Sequence, residues 1–149
     1  MSGKAARRRA REFALQGIYQ SLLSGNSVSV IEDHVSQVSG FEKADREFFV
    51  SLLRGTLNNV EPLQEEFVPF IHRPVQEMSP VERAILLLAT HEFKNGLDTP
   101  YRVIINEAIE LAKSYGATDG HRFVNGVLDK LAAKLRSDEV DAARQGGKS

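Results

Sequence analysis

A chain of 149 residues with 42% hydrophobic and 26% charged composition is ordinary for one folded domain and too apolar for a disordered one. At this length roughly 68–70% of the unfolded surface is buried on folding. The absence of cysteine excludes disulfides, thiol catalysis and thiolate metal sites, and the formal charge of −1 hides a segregation. Five cations lie between Lys4 and Arg11 with no acid among the first eleven residues. Taking those five from the 19 Lys and Arg leaves 14 against all 20 acids over residues 12–149, a net −6. A basic end on an acidic body suits a polyanion held at one place and repelled elsewhere.

The first helix carries that basic end. Leu15, Ile18, Tyr19, Leu22 and Leu23 recur at helical spacing and stop near Gly25. At about 100° per residue, Arg7, Arg8 and Arg11 share the sector of Leu15, Ile18 and Leu22, whereas Arg9 points away. Unpaired arginines cannot continue a core stripe, so the first turn or two is expected to project beyond the bundle. Val28 to Val38 is a weaker, Ser-rich helical segment. Phe48, Phe49, Leu52, Leu53, Thr56, Leu57 and Val60 define a long amphipathic helix starting near Ala44 and Asp45. Pro62 sits in the first turn of a short helix carrying Leu63, Phe67 and Phe70, which Pro69 tightens or ends.

Ser79-Pro80-Val81-Glu82 reads as a capping box with proline at the first helical position. Ile85 to Ala89 then forms a run apolar enough to cover most of a helix, placing it centrally, and Gly96 closes it. Thr99-Pro100 repeats the cap-plus-proline signal before a helix through Val103, Ile104, Ala108, Leu111 and Ala112 to Gly116. Thr118-Asp119 can cap the last helix, whose stripe is Phe123, Val124, Val127, Leu128, Leu131 and Leu135. Gly120 stands where a better helix former is expected. With no hairpin signal, the fold class is all-α, about seven helices over residues 1–136. Residues 137–149, without an apolar stripe, read as a disordered tail.

Catalytic chemistry finds little support. His34, His72, His91 and His121 lack metal-ligand spacing, and His91-Glu92 has no second histidine four residues on. No glycine-rich phosphate loop is present, so neither cofactor nor metal is expected. Glu107 and Glu110, followed by Lys113, read as a solvated, charge-balanced helix face. Asn106 and Asn125-Gly126 interrupt apolar patterns; the favoured reading is close helix packing at Gly126 and satisfaction of helix ends by each Asn, against direct contact with a partner. The opening residues are too charged for a signal peptide and no apolar run reaches membrane-spanning length, so a cytoplasmic protein is expected.

Val103–Leu131, VIINEAIELAKSYGATDGHRFVNGVLDKL, strongly resembles the NusB family of transcription antitermination factors. The opening ARRRARE-x-A-x-Q (Ala6–Gln16) and Pro100-Tyr101 resemble that family too. The resemblance covers residues 5–136, tight at both ends and loose across 25–75. It implies an all-helical protein of two small bundles packed across one another. It further implies a pairing with the ribosomal small-subunit protein NusE, binding of single-stranded boxA RNA in nascent ribosomal RNA, and entry into an RNA polymerase antitermination complex. By matching position, Tyr19 and Glu82 correspond to NusE contacts. Lys4, Arg7, Arg8, Arg9, Arg11 and Gln16, with Asp119 and Phe123, correspond to the RNA side.

Guanidinium groups bind phosphate bidentately and stack on unpaired bases, which suits single-stranded RNA. Four phosphate-neutralising cations would give a salt slope near −2.8, roughly a fiftyfold loss between 50 and 200 mM salt. Two rival readings are a protein adaptor whose basic helix meets an acidic protein surface, and a detached copy of the helical domain fronting some RNA cytosine methyltransferases. The second would need a cofactor segment and a catalytic cysteine.

Overall fold

Start and stop signals in the sequence set most of the helices. In the computed structural model, which describes residues 3–146, eight α-helices are joined by short turns: α1 Gly3–Ser24, α2 Val28–Ser36, α3 Arg46–Leu57, α4 Val60–Phe67, α5 Pro80–Asn95, α6 Tyr101–Tyr115, α7 Gly120–Leu135 and α8 Ser137–Gly146. No strand occurs among the described residues. Ser27 caps α2 by accepting from the Val30 N–H, and the Asp45 carboxylate caps α3 by accepting from Phe48 at 3.1 Å. Gly25 ends α1 at φ +74°, a left-handed conformation that glycine adopts without a Cβ penalty. Pro69 tightens the chain after α4 into one 3₁₀ turn, Val68–Phe70.

The helix of nearly continuous apolar sequence is central. α5 packs against α1, α3, α4, α6 and α7 and buries almost its whole circumference from Ala84 to Phe93. α1, α2 and α3 form one group, in which Phe13, Phe41 and Phe49 meet edge to face at centroid separations of 5.3 and 4.9 Å. α4, α6 and α7 form the other around the far side of α5. Both groups share one core that includes Ile18, Leu53, Phe67, Leu87, Phe93, Ile104 and Leu128.

Four expectations need correcting. The first turns of α1 do not project beyond the bundle: Ala6, Ala10 and Arg11 are buried, and Asp45 N–H donates to the Ala6 carbonyl at 3.0 Å. The segment read as a disordered tail is helical to Gly146; its last three residues lie outside the described part. What orders it is a buried arginine. Arg136, only 8% exposed, donates to the carbonyls of Glu92, Phe93, Gly96 and Thr99 at 2.8–3.2 Å, closing the C-terminal end of α5. The same guanidinium holds Glu139 of α8 at 2.7 Å, and Val140 is buried against the core.

Thr99 does not cap α6, because Pro100 occupies that position. The orphan N–H of Tyr101 is instead taken by the Glu139 carboxylate at 2.7 Å. Burial raises the Glu139 pKa, but the Tyr101 N–H and Arg136 together outweigh it and hold the group below the usual carboxylate range. Lastly, Gly126 is exposed with open space where a Cβ would stand, and Asn106 is exposed as well. Neither Asn106 nor Asn125 bonds a helix end among the described residues, so the packing reading of these positions fails.

Candidate nucleic-acid interface

The residues expected on the RNA side divide into two groups along α1. Arg8 and Gln16 are eight residues apart, about 12 Å at 1.5 Å per residue. Of the first group, Lys4, Arg7 and Arg11 line an open cleft of about 430 Å³ together with Asp98, Thr99, Pro100, Val103 and Glu107. It brings the start of α1 against the α5–α6 turn and the first half of α6.

Each cation of that group has a different environment. Lys4 and Arg9 are exposed and have no carboxylate partner among the described residues. Arg7 sits over Phe48, its guanidinium carbon 3.7 Å from the ring centroid, and donates one hydrogen bond to Thr99 Oγ1 at 3.4 Å. A planar guanidinium anchored on an aromatic face keeps most of its in-plane donors for a ligand, at a small ordering cost. Arg8 is half exposed and forks onto Glu107, Nε to Oε1 at 3.1 Å and Nη2 to Oε2 at 2.7 Å. That hydrogen bonding and the Glu107 charge raise the Arg8 pKa further.

Arg11 contradicts the expectation of an RNA contact. It is 4% exposed and forks onto Glu92 of α5, with both bonds at 2.9 Å. Glu107 Oε1 is 3.9 Å away on its other side. Its place on the apolar sector is therefore real: it continues the core stripe because a buried carboxylate pairs it. Glu107 overturns a second reading. Only 9% exposed, it is no solvated face; Glu110 and Lys113, 3.7 Å apart and half exposed, keep that character.

The second group gathers at the other end of α6. Gln16 and Tyr19 line a shallow groove of about 150 Å³ with Leu15, Val81 and Tyr115. Next to Val81 in sequence, Glu82 is buried; its carboxylate lies 3.5 Å from Arg73, and its backbone N–H donates to Ser79 Oγ at 3.4 Å. Only this half of the expected capping box forms, because the carboxylate turns towards α7. Gly120 is what permits it: a Cβ there would stand 2.7 Å from Glu82 Oε2. Arg73 also covers Phe123, its guanidinium carbon 4.4 Å from the ring centroid. Glu82 and Phe123, expected on opposite surfaces, are thus joined through one arginine. Asp119 is exposed at the start of α7 and makes no capping bond.

Sequence reasoning missed Phe48, Thr99 and Arg73. Phe48 carried a signal, since it lies at the edge of an apolar stripe and is only half buried. Arg73 stands in a turn with no periodicity to reveal its neighbours. Among the described residues no group of three or more His, Cys, Asp or Glu could hold a metal ion.

Comparison with known proteins agrees with this architecture. Residues 8–133 match the model of the NusB family. The transcription antitermination protein NusB of Aromatoleum aromaticum is 81% identical over 97% of this chain and 99% of its own length. The protein of that name from Azoarcus sp. is 72% identical over 97% of this chain and 94% of its own. A solved structure of T. maritima NusB superposes with a TM-score of 0.75 at 30% identity, covering 85% of this chain and 89% of the other.

Proposed function

The chain belongs to the NusB family of transcription antitermination factors, and on that premise we propose that it acts as the RNA-gripping member of a two-protein unit. Its partner is the ribosomal small-subunit protein NusE, its ligand is boxA RNA of nascent ribosomal RNA transcripts, and the unit joins RNA polymerase in the cytoplasm. No catalytic step is assigned to it. No helix among the described residues is long and apolar enough to cross a membrane, and the proposal involves none.

The observation that carries the reading is the state of the cations at the start of α1. Lys4, Arg7 and Arg9 have no carboxylate partner among the described residues, and Arg7 is anchored on Phe48 at the mouth of the cleft. Three such cations give a salt slope of about −2.1, an eighteenfold loss on going from 50 to about 200 mM salt. That is less than the fiftyfold expected when Arg8 or Arg11 is counted, and it suits a protein whose tight binding requires a partner. The proposed partner contacts are Tyr19 and Glu82, and Gln16, proposed for the RNA side, lines the same groove as Tyr19; the apolar body of Tyr19 and the rim of Val81 and Tyr115 suit a protein surface.

Fluorescence anisotropy with labelled boxA-type RNA and a scrambled control, each with and without NusE, tests this. Sequence-dependent binding that tightens when NusE is added is expected. Equal, weak binding to both RNAs under both conditions would overturn the reading and favour a protein adaptor.

A further inference from the structure

The Arg8–Glu107 pair has a geometry that the RNA reading alone does not use. Glu107 presents two carboxylate oxygens to the Arg8 fork at 2.7 and 3.1 Å, the bidentate arrangement that an RNA phosphate would otherwise take. It forms the wall between two clefts. One holds Lys4, Arg7 and Thr99; the other, about 80 Å³, holds Arg8, Glu12, Glu110 and Ser114. A phosphate approaching Arg8 from the second cleft meets Glu12 and Glu110, both of which act on the Arg8 charge.

We propose that Glu107 is a specificity-determining residue: an internal anion that occupies Arg8 and yields it only to RNA already anchored at Lys4 and Arg7. This rests on the RNA-binding reading. The exchange has a cost, because Arg11 Nη1, 3.9 Å from Glu107 Oε1, remains when Arg8 swings away but is already forked onto Glu92. Two carboxylates are then left sharing one guanidinium, and only a ligand held elsewhere offsets that. Arg8, half exposed and near the start of α1, is the partner free to move. Arg11, forked onto Glu92, is not. A polyanion drawn by charge alone therefore gains nothing from Arg8, while a ligand seated in the first cleft adds one further phosphate contact. Glu107 acts through Arg8 by withholding it, and so lowers binding to unrelated RNA more than to the cognate sequence.

The test is Glu107→Gln, close to the native side chain in size but uncharged, titrated with boxA-type and scrambled RNA across a salt series. Scrambled-RNA affinity is expected to rise about fivefold, the range of a partly exposed ion pair. Its salt slope should steepen from about −2.1 to about −2.8 as one more phosphate is neutralised. Preference for the boxA-type sequence should fall, and the gain should disappear in an Arg8→Ala background. Glu107→Asp, which retracts the carboxylate, should move affinity in the same direction and serves if the Gln variant does not fold.

Unchanged scrambled-RNA binding in a folded Glu107 variant would overturn the inference alone. So would a gain that persists without Arg8, which would reflect only the removal of a negative charge. Failure of the unsubstituted protein to bind either RNA, with or without NusE, would remove the RNA reading and this inference with it.

Discussion

Arg11 offers the sharpest perturbation, because its residue type suggests a ligand contact and its surroundings say otherwise. Arg11→Met leaves the Glu92 carboxylate, 4% exposed, without the fork that now holds it through two 2.9 Å bonds. Removing one partner of a buried pair costs about 3–5 kcal/mol. A protein of this size shifts by roughly 2–4 °C per kcal/mol, so the thermal midpoint should fall by on the order of 10 °C. Replacing both partners, Arg11→Met with Glu92→Met, should recover most of that loss, since apolar side chains of similar volume substitute for a buried pair at little cost. Circular-dichroism melts of the two variants give the stability arm. RNA affinity, read well below either midpoint, gives the other. Arg11→Met should bind RNA within about twofold of the unsubstituted protein, whereas Arg7→Ala with Arg9→Ala should flatten the salt slope by about 1.4. The reasoning fails if Arg11→Met barely moves the midpoint, or if it abolishes RNA binding while still folded.

His91 should make stability fall in mild acid. Burial pushes its pKa below the ordinary 6.5, with the Glu92 charge opposing only in part, and Asn95 Nδ2 faces its Nδ1 at 3.3 Å, as suits the neutral ring. A lowered folded-state value means that the unfolded chain binds the proton more readily. The stability is therefore complete above 6.5 and lost progressively below it; melts from pH 7.5 to 5.5 on the unsubstituted protein and on His91→Gln check this, and a variant with the same pH dependence would contradict it. Arg136→Met should destabilise by about 3 kcal/mol, because it strips buried carbonyls at the end of α5 of a charged donor, and a chain ending at residue 136 should lose the Glu139 cap on α6 as well. Hydrogen exchange at the α5–α6 turn would locate the effect; unchanged protection there would refute it. Gly126→Ala should stabilise by about 1 kcal/mol, since the position is mid-helix, exposed and sterically open. A lower midpoint in chemical denaturation would show that the backbone there needs glycine.

Helix existence was legible along most of the chain because caps, prolines and terminating glycines act within one turn of sequence. Asp45 before α3, Ser79-Pro80 before α5 and Gly25 after α1 all satisfy or release their own neighbours' backbone groups, so periodicity and capping locate them without tertiary information. The helix spanning 137–146 was not legible, because its stability comes from elsewhere. Its sequence is polar, and what holds it is a guanidinium bonded to carbonyls some forty residues earlier. Glu107 and Arg11 misled for the same reason. A charged side chain on a helical wheel looks solvated or functional until its counter-charge is known, and these pairs close over 81 to 99 residues of chain.

By itself, then, the amino-acid sequence determined the helical class, the segregation of charge to the start of α1, the central place of α5 and, through local motifs, membership of a family. Those properties depend on residue type and short spacing, which the chain carries wherever it folds. Only the tertiary structure decided which cations face a ligand. Burial makes an unpaired charge expensive, so each arginine of α1 is assigned by whether packing brings a carboxylate to it: Glu92 for Arg11, Glu107 for Arg8 and, among the described residues, none for Arg7 or Arg9. Partners so distant in sequence leave no periodic trace, and five similar cations therefore became a core pair, a guarded fork and an open grip.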